Sequence, residues 1–284
     1  MKPLYVTMKH GTLAQLLLLL TFTATVQAEE GVWQEVTTGL TMPYGVLLVD
    51  DKTYVSTVPD IVSVNEQTGD FTTVKTLSEA SPSGMLLDED RSIVAVENGT
   101  GALLRFDRNF NQIEVMARGL GDPVTVKRHG RDFYVADYDF GNGEGRLLKI
   151  GRSENPKVYA ELAAPGGFHV EDDGVVISEF DAGQLVVLMH RGHRKQVIAE
   201  GLGRPLDVVA LERGYLVTDF GGFDGTQGRL LHVGKNGRVT VLDDAELGNP
   251  AGLKVHGGVV YVTDLIGGRL LKANLYQLFS QAEW

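Results

Sequence analysis

A short pattern recurs six times along the chain, and a period of this kind decides what the chain can fold into before any single residue is weighed. The copies open at Pro43-Tyr44-Gly45, Pro82-Ser83-Gly84, Pro123-Val124-Thr125, Pro165-Gly166-Gly167, Pro205-Leu206-Asp207 and Pro250-Ala251-Gly252, so the prolines step by 39, 41, 42, 40 and 45 residues. Each proline leads into a short apolar run, then a turn such as Asp172-Asp173-Gly174, then a second run. Those second runs are Tyr54-Val55-Ser56-Thr57, Val94-Ala95-Val96-Glu97, Tyr134-Val135-Ala136-Asp137, Val176-Ile177-Ser178-Glu179, Leu216-Val217-Thr218-Asp219 and Tyr261-Val262-Thr263-Asp264. A glycine turn and a third strand follow, as in Gly228-Arg229-Leu230-Leu231, and a fourth strand closes the unit, as in Val158 to Leu162. Four short antiparallel strands per period predict an all-β six-bladed propeller over residues 29–275.

The sixth copy has no fourth strand of its own after Leu275. Val32-Trp33-Gln34-Glu35-Val36 precedes Gly39-Leu40 just as Val197 to Glu200 precedes Gly201-Leu202. The N-terminal strand is therefore expected to complete the last blade, which removes the open edges that a sheet would otherwise expose.

Residues 1–28 read as a signal peptide. Lys2 and Lys9 give a basic start, Leu13 to Phe22 an apolar run too short to span a bilayer comfortably, and Val26-Gln27-Ala28 a cleavage pattern near Ala28. Met8 is an alternative start that keeps the whole signal. The expectation is a secreted or periplasmic protein without a membrane anchor. With 35 glycines against 9 prolines the chain favours many tight turns, and with no cysteine it has neither disulfides nor thiol chemistry. A formal net charge of −11 argues against nucleic acid as a partner.

The pattern Pro-x-Gly-Val, Tyr-Val-Thr-Asp and Gly-Arg-Leu-Leu resembles the NHL repeat, and more broadly the SMP-30/gluconolactonase-like superfamily with its paraoxonases and strictosidine synthases. The likeness covers essentially all of residues 32–275. It implies the fold, and an activity drawn from a group that includes both enzymes and binding platforms. Gluconolactonase-like enzymes hold a catalytic divalent metal on a glutamate and on Asn and Asp residues just after the blade prolines. Here those positions are Tyr44, Ser83, Val124, Gly166, Leu206 and Ala251, none a good ligand.

The ends of the second strands predict a rim of acids at the channel: Glu97, Asp137, Glu179, Asp219 and Asp264, with Thr57 in the sixth place. Asp137, Asp219 and Asp264 face return strands that open with Arg146, Arg229 and Arg269, which predicts structural pairs. Glu97 and Glu179 face Ala102 and Gln184, so they stand out as a metal ligand or general base. Among the innermost strands, Thr125, Lys127, His169, Asp207 and Lys254 are the polar exceptions.

Two function classes follow. One is a cation-assisted hydrolase, lactonase- or esterase-like, acting on a small polar substrate at the channel mouth. Glu97, Glu179 and Asp207 would hold a divalent cation, calcium first, with His169 and Glu179 as the catalytic groups and Lys127, Phe220 and Phe223 against the substrate. The other is a non-catalytic platform that binds a partner protein or small ligand across the looped face. Asp137 to Glu144 is loosely like a calcium loop without its closing glutamate. The His190 to Lys195 run reads as a solvated basic turn, and the tail from Tyr276 to Trp284 is apolar enough to pack on a face or form an interface.

Overall fold

The computed structural model describes residues 31–282 except 78–80, 139–144, 152–154 and 190–193. Residues 1–28, most of the segment read as a calcium-like loop and both histidines of the basic turn lie outside the described residues. Gly31–Trp284 forms one compact unit, and no described helix is long and apolar enough to cross a membrane.

The described strands form six four-stranded antiparallel sheets, and together they make a six-bladed β-propeller. The innermost strands are Val46–Val49, Ser81–Leu87, Asp122–His129, Pro165–Glu171, Pro205–Leu211 and Pro250–His256. Each packs on its neighbour, and the first packs on the last. The expected closure is present: Gln34–Thr37 pairs with Arg269–Asn274 in the sixth sheet. Leu40 adds a backbone bond to Gly268 at 3.0 Å. Six apolar clusters hold the core, several of them drawing on neighbouring blades, such as Val36 and Val55 with Tyr261 and Leu270. The tail forms a short helix, Leu275–Gln281, capped by the Asn274 side chain. It buries Leu278 in the last cluster and sets Phe279 edge-on to His232, leaving Tyr276 exposed.

The repeat itself explains how blades join. Around the Pro-x-Gly start the pairing of the two inner strands slips, between Pro82 and Met85, Pro165 and Phe168, Pro205 and Asp207, and Pro250 and Leu253. A bulge of this kind takes backbone groups out of the ladder, and buried ones must find other partners. The hydroxyl of the Tyr-Val-Thr-Asp position supplies them. Thr263 Oγ1 accepts from Gly252 N–H of its own blade at 2.8 Å and donates to Tyr44 O of blade 1 at 2.8 Å. Thr218 accepts from Asp207 N–H and donates to Ala251 O. Ser56 accepts from Gly45 N–H and donates to Ser83 O. Ser178 lies 3.2 Å from Leu206 O of the next blade. The glycines in the motif follow from the same crowding, because a Cβ on Gly45 would collide with Ser83 O and one on Gly252 with Tyr44 O.

Val96 and Ala136 stand where this hydroxyl should be, so the seams between blades 2 and 3 and between 3 and 4 lack it. At the other end of the first of these seams, buried Asp88 of blade 2 pairs with Arg128 of blade 3 and with Arg105 of its own blade.

Thr263→Val should strand a buried amide and a buried carbonyl and cost about 2–4 kcal/mol. A urea titration should show a lowered midpoint with an unchanged slope, whereas Ala136→Ser should cause no comparable loss.

Candidate functional site

Side chains alternate along a strand, so adjacent residues at a strand end face opposite ways. The second-strand acids and the residues after them obey this rule. The acids turn in between blades. Asp137 accepts from Gly121 N–H at 3.0 Å and from Arg146 at 2.9 Å. Asp219 accepts from Arg204 N–H at 2.7 Å and pairs with Arg229. Asp264 accepts from Asn249 and Gly267 N–H, both at 3.0 Å, and pairs with Arg269 at 2.8 Å. The three predicted Asp–Arg pairs are therefore present, with each carboxylate buried and also capping loop amides.

Glu179 corrects the expectation that it lacks a partner. It is fully buried, accepts from Ala163 N–H at 2.9 Å and pairs with Lys195 Nζ at 3.0 Å. Lys195 stands in for the missing arginine from the outermost strand, Arg194–Glu200. Glu97 accepts from the Thr100 hydroxyl. Asp207 is buried where three inner strands meet, close against Gly167, and accepts from Val208 N–H at 2.8 Å and Leu253 N–H at 2.9 Å. Burial raises its pKa despite the nearby charge of Lys127 and those two amides. Glu97, Glu179 and Asp207 are thus each engaged separately. Among the described residues no three His, Asp or Glu side chains stand together as a metal-holding group.

The residues that follow the ends of the second strands face the mouth. Val58, Asn98, Tyr138, Phe180, Phe220 and Leu265 all line one cavity of about 310 Å³, together with Tyr44, Ser83, Val124, Gly166 and Leu206 from the Pro-x-Gly starts. Two repeat positions therefore build the mouth. Its walls on blades 3 to 6 are apolar and rich in rings. Tyr138 meets Phe180 edge-on at 6.0 Å, Phe180 lies 6.1 Å from Phe220, and Phe220 lies 4.9 Å from Phe223. Phe220 is buried while Phe223 is 68% exposed, so Phe223 forms an open flap over the inner rings. Arg204 stacks over Phe180 at 5.9 Å.

The polar groups gather on blade 2 and at the floor. Ser81, Ser83 and Asn98 line the same cavity, and none of their side chains makes a hydrogen bond among the described residues. Tyr44 presents a buried hydroxyl without a well-formed hydrogen bond. Burial first, and then the charge of Asp207, raises its pKa well above the usual phenol range.

Phe220 and Phe223 accordingly reach the cavity, as expected of substrate contacts. Lys127 and His169 lie on the inner strands deeper in the channel, outside its lining. Tyr44, Tyr138, Phe180, Ser83 and Asn98 were not singled out from the sequence, although the position after each acid would have found three of them.

Known proteins place the fold. No protein-family model matches the sequence, and no curated protein matches it. Among solved structures, the chain is similar to a gluconolactonase of Xanthomonas campestris, with a TM-score of 0.71 and 13% identity over 85% of this chain and 89% of that one. A structural-genomics target assigned as a gluconolactonase gives a TM-score of 0.70 and 13% identity over 87% and 92%. A chain of the nidogen/laminin complex gives 0.56 and 19% over 68% and 76%. These neighbours share the six-bladed propeller, and at such identities the likeness is one of fold.

Removing Lys195 should test the structural role of Glu179. Lys195→Met leaves a buried carboxylate without its cation and should cost about 1–3 kcal/mol, the solvent-exposed end of the pair moderating the loss. Lys195→Met with Glu179→Gln should recover part of that stability in the same denaturant titration.

Proposed function

We propose that the chain binds a small, largely apolar molecule carrying one hydrogen-bonding group at the mouth of the propeller. The observation that carries this reading is the ring of residues following the ends of the second strands, five after an acid and Val58 after Thr57, all six of which line one cavity. The apolar body packs on Tyr138, Phe180, Leu206, Phe220 and Phe223. The polar group meets Ser81, Ser83 and Asn98, whose side chains make no hydrogen bond among the described residues. A pocket with a mostly apolar lining and a few convergent polar groups is the usual form of a small-molecule site. The lining also replaces the polar substrate expected from sequence with an amphipathic one. Export through residues 1–28 belongs to the same proposal, which makes the ligand an extracytoplasmic one.

A second reading, hydrolysis of a lactone or ester in this cavity, draws its support from the likeness to gluconolactonases. An apolar lactone meets the same requirements, with its ring carbonyl as the group facing Asn98 and Ser83. Among the described residues the lining carries no charged side chain, and binding is the first reading.

Titration with the apolar dye 1-anilinonaphthalene-8-sulfonate tests the reading. The native protein should bind it with one saturable site, and Phe223→Ala, at an exposed position that the fold does not need, should weaken binding tenfold or more. Undiminished dye binding in both Phe223→Ala and Phe180→Ala would place the apolar site elsewhere. Proton release from a medium-chain lactone, present in the native protein and lost in Asn98→Ala, would add the hydrolase reading.

A further inference from the structure

Below the mouth, the inner strands carry a second level of side chains that the cavity does not use. Lys127, His169 and Lys254 pair with Tyr134, Val176 and Tyr261, which occupy the same place in their strands three residues before Asp137, Glu179 and Asp264. Equal register puts the three basic groups at one level of the ring, on blades 3, 4 and 6. The other three places at that level are apolar: Leu47, Leu86 and Val209, which pair with Tyr54, Val94 and Leu216.

All three basic residues are half-buried. None makes a hydrogen bond or ion-pair contact among the described residues. They share one electrostatic environment. Burial lowers the pKa of Lys254 and the charge of Lys127 lowers it further, with Asp207 opposing both. Burial also lowers that of His169, with Glu171 opposing and Lys127 adding to the effect. The acids nearby are already engaged. Asp207 accepts from two backbone amides, and Glu171 accepts from the Tyr215 hydroxyl at 3.2 Å.

Two lysines facing one another in a channel with half its wall apolar repel each other more strongly than on an open surface. Their desolvation has no direct ion pair to offset it. The protein is acidic as a whole, with a net charge of −11, so this inward concentration of positive charge runs against the rest of the molecule. From this geometry we propose that the channel holds a small oxyanion, a carboxylate or a phosphate, between Lys127 and Lys254, with His169 donating one N–H to it. Asp207 sets one negative charge against the two lysines; the anion supplies the second, and the apolar neighbours exclude competing water. This site is independent of the reading of the mouth, because none of the three residues lines that cavity.

Thermal melts at fixed ionic strength test it, with chloride as the reference salt and inorganic phosphate and succinate as separate probes. Phosphate, succinate or both should raise the midpoint saturably, by about 5 °C at a hundredfold excess over the dissociation constant. The stronger of the two assigns the anion class. Lys254→Met and Lys127→Met should each weaken the apparent affinity tenfold or more. In chloride alone, both variants should melt at or above the native midpoint, because each removes a half-buried cation that has no ion pair. No rise beyond chloride, or a rise undiminished in the two variants, would overturn the assignment.

Discussion

A Ser or Thr hydroxyl near the start of the inner strand, present in blades 1, 4, 5 and 6, is the interaction on which four of the six seams depend. The bulge takes a backbone amide and a backbone carbonyl out of the ladder, and in blades 1, 5 and 6 a Ser or Thr serves both at once. The amide belongs to its own blade and the carbonyl to the next, so the same atom that mends the bulge joins the ring. At the closing seam Thr263 reaches Tyr44, while Gln34–Thr37 completes the sixth sheet outside it. Both devices tie the beginning of the folded chain to its end, in a protein with no disulfide to do so.

This join also decides what the mouth looks like. With the backbone held in the bulge, the residue after each proline and the residue after each second-strand acid turn towards the axis, and the acid itself turns away between blades. The mouth is therefore built from positions that differ from blade to blade, Tyr44 and Leu206 in one set and Asn98 and Phe180 in the other, on a frame in which glycine, hydroxyl and acid each recur in four or five of the six blades. Aromatic rings cover blades 3 to 5 and Leu265 continues the apolar wall on blade 6, hydrogen-bonding groups cluster on blade 2, and basic groups occupy the inner strands beneath. Three chemistries are thus stacked along one axis inside an acidic molecule.

Much of this was legible in the sequence. The six copies with their glycine turns dictate the blades, and the orphaned sixth unit dictates the closing strand. The arginines that open three return strands announce the pairs with Asp137, Asp219 and Asp264 because both partners sit on one hairpin. The Lys195–Glu179 pair was not legible, because its cation comes from the outermost strand, sixteen residues along the chain, where no repeat position marks it. The direction of the acids was also missed. Residues at a strand end look alike in sequence whether they face the axis or the seam, and only the bulge register separates Glu179 from Phe180. Phe220 and Phe223 were legible as a pair on one loop, whereas Tyr44, Tyr138 and Phe180 were not, because each comes from a different repeat.

Native-state hydrogen exchange reads out whether the hydroxyl joins hold the blades that carry them in one cooperative unit. The amides of Gly45, Asp207 and Gly252, each accepted by a hydroxyl that also grips the next blade, should exchange only through global unfolding, with the same free energy as the central strand amides of Val55, Val217 and Val262. Exchange of Gly252 through a low-energy local opening, while Val262 stays fully protected, would show that the blades separate at their seams and would contradict the account.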